Sequence, residues 1–266
     1  MGKIYNKDNL MYRLEKKVAL ISGALGGQGQ VAVSRFIEEG ANVVATDLAL
    51  APQGDVASLL STVPDRIIYI GGDLCDSTVL EGLVTSAVEK FGRIDVFFSN
   101  HGVMVGKPFL DTTADELDSV LAINLRAPFL LSQLVAKEMV KQGDGGSIVH
   151  NSSVGGLVGF PTMAAYGASK AGLAQLARSM ATDLAEYNIR VNAICPGVVD
   201  TPMPEHYVKG LGVDKETVFR EMEEMHLMKR LGRPEEIVNV ALFLASDESS
   251  FMTGSVIPVD GGMTAI

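Results

Sequence analysis

The chain has 266 residues, with 32 acidic against 22 basic side chains, a formal net charge of −10 and 47% hydrophobic residues. A core of that size excludes intrinsic disorder. So acidic a balance argues against a nucleic-acid or anionic-membrane partner, because both need a basic face.

In chain order, the first 17 residues are charged throughout and hold no apolar stretch, so they do not read as a signal peptide. Residues 18–21 form a short apolar run. The glycines of Ser22-Gly-Ala-Leu-Gly-Gly-Gln-Gly29 follow, then a helical pattern through Glu39 that Gly40 closes. A strand over 42–46 stops at Asp47, and a helix runs through Leu59 and Leu60. Next come a strand over 66–70, a helix over 77–91 and a strand over 94–98. A long helix is expected over 114–141, a strand over 147–151, a helix over 164–187 and a strand over 189–194 leading into Cys195-Pro-Gly197. Pro234 opens a further helix, as a proline can at the first helical position, and residues 255–259 form the last strand.

Continuously apolar strands that alternate with helices predict βαβ units and a parallel sheet buried on both faces. Right-handed crossovers make this a single-domain α/β fold, a Rossmann-type doubly wound parallel sheet, over residues 1–266. The segment 201–233 breaks the alternation and reads as a helical substrate lid inserted at the carboxyl edge of the sheet. Val218, Met222 and Met225 share one of its helical faces. They either pack the lid onto the body or line an adaptable apolar pocket. No apolar run approaches the ~18 residues that span a bilayer. Cys75 and Cys195 make no CxxC pair, which predicts a reducing, cytoplasmic setting. His101, His150, His206 and His226 lack metal-ligand spacing, so no metal is expected.

Glycine is in excess at 28 residues, and the turn at Gly23, Gly27 and Gly29 has a use for it. Glycines let backbone approach a pyrophosphate, and the helix that follows offers free N–H groups. The spacing is G-x-x-x-G-x-G rather than the common dinucleotide fingerprint. Asp47 then ends the second strand, where a carboxylate accepts hydrogen bonds from ribose hydroxyls. It would repel a 2′-phosphate, and no Lys or Arg lies in residues 22–34 to offset this, so NAD is the expected cofactor. Tyr166 and Lys170 stand at i and i+4 on one helix, so phenol and ammonium project together. Lowering a phenol from ~10 to ~7 needs about 4 kcal/mol, which the ammonium together with an oxidised nicotinamide can supply. Ser153 lies 13 residues before Tyr166, at the end of a strand.

In these motifs, together with Asp73, Ser99-Asn-His-Gly102, Asn124, Cys195-Pro-Gly197 and Thr201, the chain resembles the short-chain dehydrogenase/reductase family, in its branch of roughly 250-residue subunits. The resemblance runs from about Glu15 to Gly262. It implies Tyr166 as general acid/base, Ser153 as hydrogen-bond donor to the substrate oxygen, Lys170 as the residue that acidifies Tyr166, and Asn124 as support for a water relay. It implies that Gly23, Gly27, Gln28 and Gly29 lie along the cofactor and that Asp73 and Leu74 hold the adenine. Asn100 and Gly102 would border the adenosine and nicotinamide side. Pro196, Val199 and Thr201 would hold the carboxamide and phosphates, and Tyr166 and Lys170 would also touch the cofactor. A homotetramer is implied, with 114–141 and 164–187 at one interface. The substrate would be a small molecule, an apolar cyclic alcohol or ketone of the hydroxysteroid kind. A 3-oxoacyl-carrier-protein reductase and a non-catalytic dinucleotide sensor are the alternatives. An intact tetrad speaks against the sensor, and net charge and Asp47 against the reductase.

Several residues depart from the family pattern. Ser22 stands for Thr, Gln28 for a branched apolar residue, His101 for Ala and Asn151 for Ile, and Gln30 follows Gly29. The His101 ring is expected to be satisfied by neighbouring backbone, while the sequence offers no reason for Asn151. Pro128, four residues after Asn124, should kink the long helix; it either frees the Asn124 carbonyl for a relay water or merely bends the helix around the core.

Overall fold

The computed structural model describes residues 12–211 and 214–265. Seven parallel strands form one sheet: β1 Val18–Ser22, β2 Asn42–Asp47, β3 Ile67–Gly71, β4 Val96–Ser99, β5 Gly146–Asn151, β6 Ile189–Pro196 and β7 Val256–Val259. Their order is β3-β2-β1-β4-β5-β6-β7. Every connection is a parallel crossover, so the order reverses between β1 and β4 and opens a crevice at the carboxyl ends there. Apolar residues of α1 (Gly27–Glu38), α2 (Gly54–Thr62) and α9 (Pro234–Ala245) cover one face. Those of α3 (Ser77–Phe91), α5 (Ala127–Gln142) and α6 (Ala164–Leu184) cover the other. Burial on both faces is why these strands show no polar alternation.

Where boundaries differ from the sequence reading, hydrogen bonds explain it. Ile94 lies outside β4 because the Gln142 side chain takes both its N–H and its carbonyl, at 2.8 Å each. β6 runs on to Pro196 because Cys195 and Pro196 stand opposite Pro258 and Val259 of β7.

The long helix is not continuous α-helix. α4 (Ala114–Leu121), entered through a Thr113/Glu116 capping box, passes into a π turn over Ala122–Arg126, and α5 follows. The Ala127 N–H reaches back to the Ala122 carbonyl, five residues away. Pro128 falls in the first turn of α5, where its missing N–H removes the donor that would restore the ordinary register. The expected disturbance is therefore present, but as a π turn rather than a kink. Residues 114–142 are also long and apolar enough, by length and composition, to cross a membrane, contrary to the sequence reading. In this fold that stretch supplies core residues, among them Leu131, Val135 and Met139, all fully buried against the sheet.

The 201–233 segment holds α7 (Pro202–Leu211) and α8 (Lys215–Glu224), inserted between β6 and α9. His206 has no described side chain.

Candidate active site

The carboxyl ends of the strands border a cleft of about 1050 Å³, the upper end of the range for ligand sites. Its walls include Gly23, Gly27, Gln28, Asp47, Asp73, Leu74, Asn100 and Gly102 on one side. Asn151, Ser153, Tyr166, Lys170, Pro196, Val199 and Thr201 close the other. These fifteen positions, spread along the chain from Gly23 to Thr201, do not meet in one cleft by local propensity; the crossovers bring them there. Gly29 and Asn124 stand behind the wall rather than in it.

Close approach explains the glycines. Gly23 has φ +64°, and a Cβ there would meet the His101 backbone at 2.8 Å, so the β1–α1 turn lies flat against the β4 turn. A Cβ on Gly29 would overlap the Gly23 carbonyl, and one on Gly27 would come within 2.7 Å of the Thr201 methyl. These are backbone cradles that a side chain would fill. No side chain caps α1 and no acid stands in its first turn, which leaves its N–H groups for an anion. The Asp47 carboxylate accepts from the N–H groups of Leu25 (2.9 Å) and Leu48 (2.7 Å), tying the end of β2 to the glycine turn. Asp73 accepts from Cys75 N–H at 2.9 Å, and Leu74 is buried beside it.

Ser153 lies two residues beyond the end of β5, and its hydroxyl accepts from Gly155 N–H at 3.0 Å. Tyr166 and Lys170, both in α6, are 9% and 5% exposed. The Lys170 ammonium lies 5.8 Å from the centre of the Tyr166 ring and donates to the Asn151 carbonyl at 2.8 Å. Burial pushes Lys170 down to about 8, against a small opposing pull from Cys195. Burial pushes the Tyr166 phenol up, and the nearby Ser153 hydroxyl draws it part of the way back. The expected acidification of Tyr166 is thus outweighed among the protein groups by burial of the phenol itself. Asn124 is fully engaged through its side chain. Its Oδ1 accepts from Val103 N–H (2.8 Å), and its Nδ2 donates to the Val103 carbonyl (2.8 Å) and Ser169 Oγ (3.1 Å). It pins the loop after β4 to α6 one residue before Lys170.

The departures from the family pattern sit together here. His101 Nδ1 shares a 2.7 Å hydrogen bond with the Ser22 hydroxyl, so a side chain joins the Ile123 backbone, which also acts on this ring. Burial and, secondarily, Lys170 push His101 down to about 3, and His150 behind it is pushed to about 3 in the same way. Asn151 donates to Gln28 Oε1 and to Asn100 Oδ1, both at 2.8 Å.

Sequence reasoning missed the contacts that seat α7 and α8. The Tyr207 ring occupies the space a Gly106 side chain would take, and its hydroxyl meets Thr162 Oγ1 at 2.9 Å, with Thr162 held at φ +63°. His226 accepts from Val198 N–H at 3.1 Å through Nε2 and donates from Nδ1 to the Met222 carbonyl at 2.7 Å. Neither contact has a local sequence signal. Val218, Met222 and Met225 line the cleft, as do Met104, Val154 and Met163. Among the described residues of the wall, Lys170 is the sole cation, and Glu221 is the carboxylate contributed by α8.

The family description "Enoyl-(Acyl carrier protein) reductase" matches residues 23–264. An uncharacterised oxidoreductase of Thermotoga maritima is 40% identical over 250 residues, covering 94% of this chain and 98% of the relative. A 3-oxoacyl-[acyl-carrier-protein] reductase of the same organism is 38% identical, covering 94% and 99%. Levodione reductase of Leifsonia aquatica is 38% identical over 260 residues, covering 95% and 96%. A crystal structure of levodione reductase superposes with a TM-score of 0.89 at 36% identity, covering 95% of this chain and 99% of that one.

Proposed function

The chain belongs to the short-chain dehydrogenase/reductase family of oxidoreductases, whose members bind nicotinamide dinucleotides, and on that premise we propose that it interconverts a secondary alcohol and a ketone with NAD. The observation that carries this reading is the meeting of Ser153, Tyr166 and Lys170 on one wall of a cleft whose far wall is the glycine turn. The cradles at Gly27 and Gly29 and the uncapped start of α1 suit a dinucleotide diphosphate. Asp47 suits an unphosphorylated ribose, and Asp73 and Leu74 suit the adenine.

When bound, the nicotinamide supplies hydride transfer to or from the carbinol carbon. The Tyr166 hydroxyl holds the proton given to, or taken from, the substrate oxygen. Ser153 Oγ donates to that same oxygen and stabilises its developing charge. Lys170 would hold the nicotinamide ribose, and its ammonium together with the positive charge of the oxidised cofactor would bring the phenol toward neutral pH against the burial that pushes it up. Asn124 holds the loop and α6 in register and supports a water relay from Lys170.

The helices α7 and α8 act as the substrate lid. The methionines along the cleft favour an apolar, bulky, cyclic ketone or alcohol such as a hydroxysteroid. A second reading, reduction of a 3-oxoacyl group on an acidic carrier, is favoured by one relative's name. The net charge of −10 opposes it. A panel of steroid, alicyclic and carrier-linked ketones assayed with NADH and NADPH separates the two. Reduction of cyclic ketones with NADH supports the first reading, and exclusive use of the carrier-linked substrate with NADPH overturns it. We place the protein as a homotetramer through α4–α5 and α6; a monomer by light scattering contradicts that.

A further inference from the structure

The carboxamides of Asn100, Asn151 and Gln28 form a chain whose orientation is fixed from one end. The Gly23 carbonyl can only accept, so Asn100 turns its Nδ2 toward it, at 3.1 Å, and its Oδ1 toward Asn151. Asn151 must then present Nδ2 to Asn100, and the same Nδ2 donates to Gln28 Oε1, each at 2.8 Å. Gln28 is left with its NH₂ directed away from Asn151. Gln28 lines the cleft, and its Nε2 is not among the buried atoms that lack a partner. Asn151 is 7% exposed, also lines the cleft, and keeps its own Oδ1 buried without a partner. An orphaned buried acceptor is costly, so an amide at this position needs a reason other than packing. Gln28 is the second residue of α1, at a helix start that carries no capping side chain and no acid.

We propose that the Asn100–Asn151–Gln28 amide chain holds the Gln28 NH₂ as a side-chain donor to the diphosphate oxygens of the dinucleotide, beside the free N–H groups of α1. This rests on the reading of the cleft as a dinucleotide site. Asn151 is a positioning residue: it acts through Gln28, whose amide it keeps from turning its acceptor oxygen toward the anion. Lys170 donates to the backbone carbonyl of the same Asn151 at 2.8 Å. The residue that orients the donor thus belongs to the strand end that anchors the proposed catalytic lysine.

Binding, read by calorimetry for NAD and ADP-ribose and by competition for adenosine, tests this without turnover. Gln28→Leu is expected to weaken NAD and ADP-ribose alike, by roughly tenfold for one hydrogen bond to a charged group, and to leave adenosine unchanged. Asn151→Leu is expected to weaken NAD and ADP-ribose by a smaller factor and to add nothing in the Gln28→Leu background, because it acts through that amide. Should Asn151→Leu not fold, Asn151→Asp preserves the volume. Its carboxylate attracts the Gln28 NH₂ inward, and binding of ADP-ribose is expected to fall at least as far as in Gln28→Leu. Unchanged ADP-ribose binding in Gln28→Leu, loss confined to NAD, or multiplying effects of the two leucines would each overturn the proposal. Wild-type protein that binds NAD normally while these variants match it overturns the amide chain alone. Wild-type protein that binds neither NAD nor ADP-ribose overturns the dinucleotide reading with it.

Discussion

Replacing Lys170 with methionine is expected to abolish activity and yet lessen a cost to the fold. Burial holds this ammonium at about 8 instead of 10.5, so between those values the unfolded chain binds a proton that the folded chain does not. Stability conferred by this position therefore rises with pH across that window, and the full cost is present below pH 8. The drop corresponds to about 3 kcal/mol at pH 7. Methionine fills similar space without charge but leaves the Asn151 carbonyl without the donor now at 2.8 Å, a loss of about 1–3 kcal/mol. The net gain at pH 7 is thus small, about 0–2 kcal/mol. Its pH dependence is the sharper quantity. The advantage of Lys170→Met over wild type should shrink by about 2–3 kcal/mol between pH 7 and pH 10. Urea unfolding of both proteins at the two pH values, at equal protein concentration, measures this directly. Stability curves that stay parallel across the range would refute the argument that Lys170 is held at low pKa by burial.

Three further outcomes follow from the same geometry. Asp47→Ser removes the charge that opposes a 2′-phosphate, and the NAD-to-NADP ratio of kcat/KM should fall at least about tenfold; an unchanged ratio would mean that Asp47 serves only Leu25 and Leu48. Gly29→Ala places a methyl on the Gly23 carbonyl, forcing the turn open, so thermal stability and NAD affinity should both drop, the former by about 1–3 kcal/mol, and normal values of both would contradict the cradle. Pro128→Ala restores a backbone donor after the π turn and should keep or raise stability while slowing turnover; full activity would discard a role for this distortion in the proton relay.

The sheet was legible because parallel strands buried on both faces leave an unbroken apolar signal, as in residues 18–21 and 42–46. The site was legible where one residue type has one use, as with Tyr166 and Lys170 a helical turn apart. What the sequence hid depends on partners distant in the chain. Asn151 has no meaning until Gln28 and Asn100 lie 2.8 Å away. His101 becomes intelligible only when Ser22 is its neighbour. The periodicity of 114–141 conceals a π turn, since adding one residue to a single turn hardly disturbs the apolar pattern. The protonation of Tyr166 was also beyond sequence. A neighbouring lysine promises a lowered phenol, whereas burial of the phenol itself pushes it up.

The most direct test of the central claim is Tyr166→Phe, assayed on the first ketone of the panel that the wild type reduces. The phenyl ring fills the same buried space, so folding and NAD binding should match wild type by thermal melt and calorimetry. Loss of the hydroxyl proton donor should lower kcat by about 10²–10⁴-fold. Turnover within tenfold of wild type, in a variant that folds and binds NAD normally, would contradict the assignment of Tyr166 as the acid/base and with it the proposed chemistry of the cleft.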